Sequence, residues 1–224
     1  MKFIKSKFLV FFFVLVLLTS AFSLNDAYAD AVVDNWTDAP TTNVGSTHMY
    51  GVSMGDSSNG VAVGESGQIV FTNNGGVTWT LAPTTNVGTT DMYGVSMSDA
   101  SNGVAVGASG QIVFTTNGGV TWTDATTTNV DSTVMWAVSM SDASNGVAVG
   151  KSGTIVFTTN GGVVWTAATT NTDDPATEEQ EENDTIVMKG VSMSDASNGV
   201  AVGKGGKIIF TTNGGVDWTD ATTT

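Results

Sequence analysis

Few side chains in this sequence could support acid–base, nucleophilic or metal-dependent chemistry. The 224 residues include a single histidine, His48, and no cysteine, and all seven basic residues are lysines. One histidine without cysteine does not supply the usual ligands of zinc, iron–sulfur clusters or haem, nor a nucleophile with an adjacent base. The acidic residues show no pairing that would suit the hydrolysis of a glycoside. We therefore expect no catalytic residues, no metal site and no cofactor, and we interpret the protein as a non-enzyme.

The charge of the chain limits its partners. Twenty-one aspartates and glutamates against seven lysines give a formal charge of −14 at pH 7. Nucleic acids and anionic membrane surfaces attract clustered positive charge, so neither is an expected partner. The hydrophobic fraction of 41% and the charged fraction of 12% describe a globular chain.

The N-terminus has the features of an export signal. Three lysines within the first seven residues precede an apolar run at 8–18, and the sequence Ala-Tyr-Ala at 27–29 provides a cleavage site. We interpret residues 1–29 as a signal peptide, which predicts an exported protein that is extracellular, on the cell surface or periplasmic. The alternative is an uncleaved segment that anchors the chain, and it is the one membrane association that we expect.

The rest of the chain is built from one repeated unit. The segment VSMSDASNGVAVG occurs unchanged at residues 95–107, 138–150 and 191–203, and with two substitutions at 52–64. The ten extra residues between the starts of the third and fourth units belong to an acidic insert within 171–185. A period of about 40–50 residues is typical of propeller blades. The units begin at four methionines, spaced 43, 43 and 53 residues apart: Met49, Met92, Met135 and Met188.

Each unit contains four short apolar segments separated by turns. Cores such as VAV and IVF do not alternate with polar residues, which indicates sheets buried on both faces. Asn-Gly steps between these segments predict type I′ hairpins. We therefore predict an all-β fold, a β-propeller of four-stranded antiparallel meander blades over residues 49–224. The four blades are expected near 49–83, 92–126, 135–169 and 188–222.

Residues 30–48 are predicted to add one extra strand and a connector before the first complete unit. Trp36 and Pro40 occupy the same register as Trp79 and Pro83 of the repeat. Because a propeller must protect its sheet edges, we expect a closed four-blade ring with the Trp36 strand capping an edge. The alternative is that two chains share a larger ring, or that the array is open. The sequence therefore leaves undecided whether the protein forms an oligomer.

The third turn of every unit carries the pattern Thr-x-Asn-x-Gly-x-x-Trp, a variant of the Asp-box. The Thr and Asn side chains can bond the turn backbone, the Gly allows positive φ, and the Trp can pack between sheets. We assign the motif a structural role. Its Asn and Trp residues are Asn74, Trp79, Asn117, Trp122, Asn160, Trp165, Asn213 and Trp218.

An aspartate precedes the first turn of every unit. Aspartate at the start of a turn commonly caps its own backbone, and this is our interpretation. A ring of calcium ligands is the alternative. The four residues are Asp56, Asp99, Asp142 and Asp195.

Together with the preceding NGVAVGxxGxIVFTTNGGxxW, the Asp-box variant resembles the repeat of photosystem II stability and assembly factor propellers. That family belongs to the broader Asp-box and bacterial neuraminidase repeat group. The resemblance extends over Met49–Thr224 and implies a propeller that binds a protein partner as an assembly or stability factor. The related sialidases hold their substrate with an arginine cluster, and this chain has no arginine.

The four copies differ mainly at one end of each unit, where the second turn and the connector between blades meet. Exposed tyrosine and tryptophan favour binding interfaces, so these variable positions predict a partner-binding surface. A structural role, in which these aromatic residues only cover the ends of the first strands, is the alternative to a binding surface. If the surface does bind, a glycan-binding module that uses the same aromatic residues is the alternative to a protein-binding one, and a glycoside hydrolase is a weaker one. The acidic insert is interpreted as a solvated loop, with a calcium-responsive loop as its alternative. The predicted contact residues are Tyr50, Tyr93, Trp136, Lys189, Lys151 and Lys204.

Overall fold

The computed structural model describes residues 46–83, 86–128, 130–170 and 187–222. The predicted signal peptide, the predicted Trp36 strand and the acidic insert within 171–185 lie outside the described residues. The described segments contain no helix with the length and apolar character needed to span a bilayer.

The repeats fold into four sheets, one per unit, and each sheet contains a four-stranded antiparallel meander. The all-β blade architecture predicted from the sequence is confirmed. We call the sheets blades 1 to 4 in chain order. Blade 1 contains β1 Met49–Met54, β2 Gly60–Gly64, β3 Ile69–Thr72 and β4 Thr80–Leu81. Blade 2 contains β5 Met92–Met97, β6 Gly103–Gly107, β7 Ile112–Thr115 and β8 Thr123–Asp124. After β9 Thr126–Thr127, blade 3 contains β10 Met135–Met140, β11 Gly146–Gly150, β12 Ile155–Thr158 and β13 Val164–Ala167. After β14 Thr169–Thr170, blade 4 contains β15 Met188–Met193, β16 Gly199–Gly203, β17 Ile208–Thr211 and β18 Asp217–Asp220.

A short 3-10 turn joins the second and third strands of every blade. Its second and third residues both have left-handed backbone angles, as at Ser109 with φ 54° and Gly110 with φ 73°. This pair reverses the chain tightly between two strands. The four turns are η1 Glu65–Gly67, η2 Ala108–Gly110, η3 Lys151–Gly153 and η4 Lys204–Gly206.

The Asn-Gly steps do not form the type I′ hairpins that the sequence predicts. Among the described residues, no asparagine has a positive φ. In the first turn of blade 2 the Asp99 carboxylate accepts hydrogen bonds from the backbone N–H groups of Ser101 and Asn102, at 2.7 and 2.8 Å. The aspartate side chain therefore sets the turn, and Asn102 continues into β6 without a left-handed residue.

The connectors link successive blades by adding a fifth strand to two of them. Strand β9 leaves blade 2 and pairs in parallel with β13, the outer strand of blade 3. Strand β14 leaves blade 3 and pairs in the same way with β18 of blade 4. Each of these connectors thus ties one blade to the edge of the next.

The hydrophobic core lies between adjacent blades. Val61 and Val63 of blade 1 form one buried cluster with Met92 and Trp122 of blade 2. The two following interfaces repeat this arrangement, with Trp165 and Trp218 in the positions of Trp122. Strands β2, β6 and β11 are buried along their whole length, which explains why their apolar residues do not alternate with polar ones.

The closed four-blade ring expected from the repeat count is not formed by the described residues. Inner strand β5 packs against β1 and β10, and β10 packs against β15, but no extensive packing joins blade 4 to blade 1. Strand β16, unlike its equivalents, alternates between buried and exposed residues.

Candidate partner-binding surface

The inner strand of every blade has a β-bulge at its second residue. In blade 1, Met49 pairs with Gly64 and Gly51 pairs with Val63, so Tyr50 is the extra residue on β1. The same shift occurs at Tyr93, Trp136 and Lys189. A bulge interrupts the ladder and re-aims the side chain of the extra residue. The same β-bulge therefore presents four of the predicted contact residues, one in each blade.

Small residues beside the bulges allow the inner strands to approach closely. A Cβ atom on Gly51 would lie 3.1 Å from the carbonyl oxygen of Tyr93, and one on Gly94 would lie 3.1 Å from that of Trp136. These distances are tighter than ordinary contacts between a Cβ atom and backbone. The glycines thus bring the bulged residues of neighbouring blades within contact distance.

The bulged side chains form a continuous stack, which we call the aromatic ladder: Tyr50, Tyr93, Trp136 and Lys189. The ring centroids of Tyr50 and Tyr93 are 5.5 Å apart, and those of Tyr93 and Trp136 are 4.8 Å apart, both in tilted geometry. The Nζ of Lys189 lies 3.3 Å from the centroid of the Trp136 ring, a cation–π contact. Aromatic pairs at such distances each contribute about 0.5–1.5 kcal/mol beyond the area they bury.

Lys151 and Lys204 occupy the first position of η3 and η4. Their backbone N–H groups donate to the carbonyl oxygens of Val134 and Val187, both at 2.9 Å, which holds each turn against the connector of its own blade. Turn η3 packs against β15, the strand that carries Lys189. Lys204 belongs to the last blade. The structure therefore gathers the three predicted lysines on blades 3 and 4.

Acidic groups surround the other end of the ladder. The Nδ1 of His48 lies 3.1 Å from a carboxylate oxygen of Glu65, and the backbone N–H of Ser66 donates to Oδ1 of Asp91 at 2.8 Å. Partial burial, followed by the charges of Glu65 and Asp91, raises the pKa of Tyr50 above its ordinary value. Burial and the charge of Asp91 raise the pKa of Tyr93. Both phenols therefore keep their protons at neutral pH and can act as hydrogen-bond donors.

Trp136 is half-buried in the middle of the site, and its indole Nε1 atom is buried. Within the described segments, its Nε1 atom has no hydrogen-bond acceptor. A buried donor without an acceptor costs about 1–3 kcal/mol. Trp136 therefore contributes to the site through the stacking of its aromatic face more than through its indole N–H.

The Asp-box residues make hydrogen bonds within their own turns. The hydroxyl of Thr115 donates to the side-chain oxygen of Asn117 at 3.0 Å, and the N–H of Gly119 donates to the same hydroxyl at 3.1 Å. The buried indole of Trp122 donates to the carbonyl of Gly119 at 3.0 Å. These contacts use the polar groups of the motif to hold the third turn.

The aspartates of the first turn are used in the same way. Asp99 and its equivalents each accept two backbone N–H bonds and two from an asparagine amide, and these bonds lower the pKa of the carboxyl groups. Within the described residues no group of three or more acidic or histidine side chains converges where it could hold a metal ion. The carboxylates therefore serve their own turns.

The bulges were not predicted from the sequence, and the predicted contact residues did not include the acidic residues Glu65 and Asp91, although both lie at the variable end of the repeats. The signal was present, because a small residue follows each ladder position: Gly51, Gly94, Ala137 and Gly190. Glu65 and Asp91 could have been placed only by knowing that η1 of blade 1 packs against β5 of blade 2.

The comparison with protein families decides which repeat this is. Residues 83–172 match the family described as photosynthesis system II assembly factor YCF48. The part of the chain from residue 83 to residue 172 is therefore similar to the repeat of that family. The resemblance that the sequence motifs indicated is thereby confirmed. No curated protein sequence matches the chain.

Solved structures similar to this chain include two proteins described as YCF48. One, described as YCF48 bound to D1 peptide, is 18% identical with a TM-score of 0.52, over 82% of this chain and 70% of that one. The other, YCF48 from Cyanidioschyzon merolae, is 22% identical with a TM-score of 0.60, over 80% of this chain and 57% of that one. An ancestral GH74 enzyme is 16% identical with a TM-score of 0.58, over 78% of this chain but 25% of its own. At such identities the likeness is one of fold.

Proposed function

We propose that this protein is a non-enzymatic scaffold or assembly factor that binds a segment of a partner protein along the aromatic ladder. The observation that carries the proposal is the continuous stack that joins all four blades, Tyr50–Tyr93–Trp136–Lys189. Rigid, mutually packed aromatic residues provide contact area with little loss of side-chain entropy on binding. A similar solved structure is described as YCF48 bound to a peptide, which supports a peptide segment as the ligand.

The charges around the ladder give the bound segment a direction. Glu65 and Asp91 lie beside the two tyrosines, and the lysines Lys151, Lys189 and Lys204 belong to blades 3 and 4. Charge complementarity determines orientation and rate of association more than affinity. The partner segment should therefore carry basic residues over blades 1 and 2 and acidic residues or a free carboxylate over blades 3 and 4.

A glycan-binding module is the second candidate, and the ladder geometry makes it weaker. Sugars stack on open aromatic faces, yet Tyr93 lies between Tyr50 and Trp136, and Lys189 covers the outer side of Trp136. Only the outer face of Tyr50 is left by these contacts. Hydrolysis is weaker still, because the similarity to the GH74 enzyme is one of fold and the sequence shows no pair of acidic residues suited to glycoside hydrolysis.

The signal peptide predicted from the sequence supports an activity outside the cytoplasm: extracellular, on the cell surface or in the periplasm. The negative charge of the chain limits adhesion to anionic lipid, so a protein partner is the expected means of retention at a surface.

The test is a cross-linked pull-down from the host envelope with the wild-type chain and a Tyr93→Ala, Trp136→Ala double variant. We expect one dominant protein to be captured by the wild type and lost with the double variant. Trp136→Phe, which keeps the aromatic face, should retain it. Lys189→Ala should weaken capture, whereas Lys207→Ala should not, because Lys207 is paired with Asp220 and is not part of the ladder. Equal capture by all variants would exclude the ladder as the binding surface, and elution by free sugars would favour the glycan module.

A further inference from the structure

The two end blades of the array expose complementary faces that the inner interfaces bury. We propose that the face of blade 4 binds the face of blade 1 of a second copy of this chain, and that two copies close into one eight-blade ring. The contact would be a fourth version of an interface that the chain already forms three times within itself.

On blade 4 the exposed residues are those that face the next blade elsewhere. Val200 and Val202 of β16 are 45% and 44% exposed, whereas the equivalent valines of the three preceding blades are fully buried. Phe210 of β17 is 40% exposed. Val200 and Phe210 line one side of an open groove of about 500 Å³ that also contains Ser192 and Asn198.

Blade 1 presents the opposite half of the same interface. Val52 of β1 is 66% exposed, whereas its equivalent in blade 3, Val138, is 8% exposed. Met54 is exposed, whereas Met97 and Met193 are buried in the second and fourth blades. Trp79 is half-buried, although the other three Asp-box tryptophans are buried.

The inner interfaces define how the two ends would meet. A Cβ atom on Gly119 would lie 2.5 Å from Cγ2 of Val61 in the preceding blade, and one on Gly215 would lie 2.4 Å from Cγ2 of Val147. The equivalent of these glycines in blade 1 is Gly76, where the nearest atoms among the described residues belong to Trp79 of the same turn. Val200 of a second copy has the shape and chemistry of the missing neighbour.

A hydrogen bond accompanies each inner interface. The backbone N–H of Met97 donates to the hydroxyl of Ser53 at 2.9 Å, and Met193 donates to Ser139 at 3.0 Å. The remaining serine of this series is Ser192 on blade 4, and the remaining methionine is Met54 on blade 1. Across the proposed interface, the N–H of Met54 would donate to the Ser192 hydroxyl of the other copy.

The number of blades selects two copies. A head-to-tail contact forms a ring if the rotation closes and an open filament if it does not. Propellers typically have about 4–8 blades, so two copies of four blades reach the upper end of that range and three copies exceed it. The four-blade ring within one chain is not formed by the described residues.

The first test is the mass of the native chain in solution, measured by light scattering during size-exclusion chromatography at micromolar concentration. We expect twice the mass of the denatured chain. Val52→Asp and Val200→Asp should each reduce the mass to that of one chain, because each places a charge in the apolar contact. Val120→Asp is the matched control, since this valine is exposed in a third turn within the array, and it should leave the dimer intact.

A mixture of the two variants distinguishes a head-to-tail dimer from dimers with another arrangement. Val52→Asp retains an intact blade 4 face, and Val200→Asp retains an intact blade 1 face, so the mixture should recover a dimer that neither variant forms alone. A monomeric wild type, a larger polymer, or a mixture that stays monomeric would overturn the proposal.

A disulfide test does not depend on how well the charged variants fold. The chain has no cysteine, so Met54→Cys and Ser192→Cys can be introduced together in one chain. Mild oxidation should give a covalent dimer on a non-reducing gel, whereas Val120→Cys with Ser192→Cys should not. Loss of both thiols with the chain still at the monomer position would show ring closure within one chain and would contradict the second copy.

Discussion

At the scale of single residues, the candidate site depends on which side chain occupies each bulge. The bulge itself is the same in every blade, but it presents tyrosine, tyrosine, tryptophan and lysine in turn. The aromatic rings support one another, and Lys189 closes the stack with its charge. The four positions therefore combine a shared backbone geometry with individual chemistry, which suits a recognition surface better than a purely structural one.

Trp136 is expected to contribute more through its aromatic face than through its N–H. Trp136→Ala removes the contacts with Tyr93 and Lys189 and should lower the free energy of unfolding by about 2–4 kcal/mol. Trp136→Phe keeps an aromatic ring and removes a buried donor that has no acceptor among the described residues, so its effect should be below about 1 kcal/mol. Urea unfolding followed by circular dichroism would measure both, and equal losses would contradict the stacking role.

The first-turn aspartates predict a loss of stability in acid. Hydrogen bonds from the turn hold the pKa of Asp99 and Asp142 below the ordinary value. A carboxyl group whose pKa is lower in the folded state contributes stability above its unfolded pKa of about 3.9, and this contribution is lost as the pH falls through the folded pKa. The melting temperature should therefore decrease as the pH is lowered below about 4. An Asp99→Ala, Asp142→Ala variant should melt lower than the wild type at pH 7 and lose less between pH 7 and pH 3; a parallel decline would contradict the assignment.

At the scale of the element, the third turn joins local geometry to packing between blades. Gly118 and Gly119 both have positive φ, and Gly119 lies against Val61 and Phe71 of the preceding blade. Trp122 completes the contact from the same turn. One short motif therefore shapes the hairpin and forms part of the interface, which explains why the four units keep it.

Alanine substitutions at two equivalent glycines distinguish the cost of backbone strain from the cost of crowding between blades. Gly119→Ala and Gly76→Ala both place a Cβ at a φ near +90°, which costs about 1 kcal/mol or more. Only Gly119→Ala also drives the Cβ into Val61, so it should cost about 1–3 kcal/mol more. Denaturant unfolding in a Val200→Asp background would compare them in the monomer, and equal losses would show that crowding has no effect.

At the scale of the whole molecule, the array resembles a propeller cut open between its first and last blades. Three interfaces are buried, and among the described residues the matching apolar faces of blades 1 and 4 remain partly exposed. Exposed apolar sheet faces of this kind mark association surfaces. The aromatic ladder also continues in this direction, because Tyr50 and Lys189 are its two ends. Closure by a second copy would bring the Lys189 end of one ladder toward the Tyr50 end of the other.

Association of two copies predicts a melting temperature that depends on protein concentration. A dimer is stabilised by mass action, so a tenfold increase in concentration should raise the melting temperature of the wild type. The Val200→Asp variant, which removes one half of the contact, should melt at a temperature independent of concentration. Differential scanning calorimetry over a hundredfold range would measure the difference, and two flat series would argue for a monomer.

The sequence alone determined the blade architecture, the repeat family and the residues that vary from copy to copy. It could do so because turn residues, apolar runs and the Asp-box act locally and recur at a regular spacing. The same local reasoning was wrong about the Asn-Gly turns, where the carboxylate of Asp99 and its equivalents sets the backbone. Only the tertiary structure showed that Tyr50, Tyr93, Trp136 and Lys189 form one stack, and that the ring stays open among the described residues. Both depend on the angle and separation between sheets, which arise from packing across blade interfaces and leave no periodic mark in the sequence.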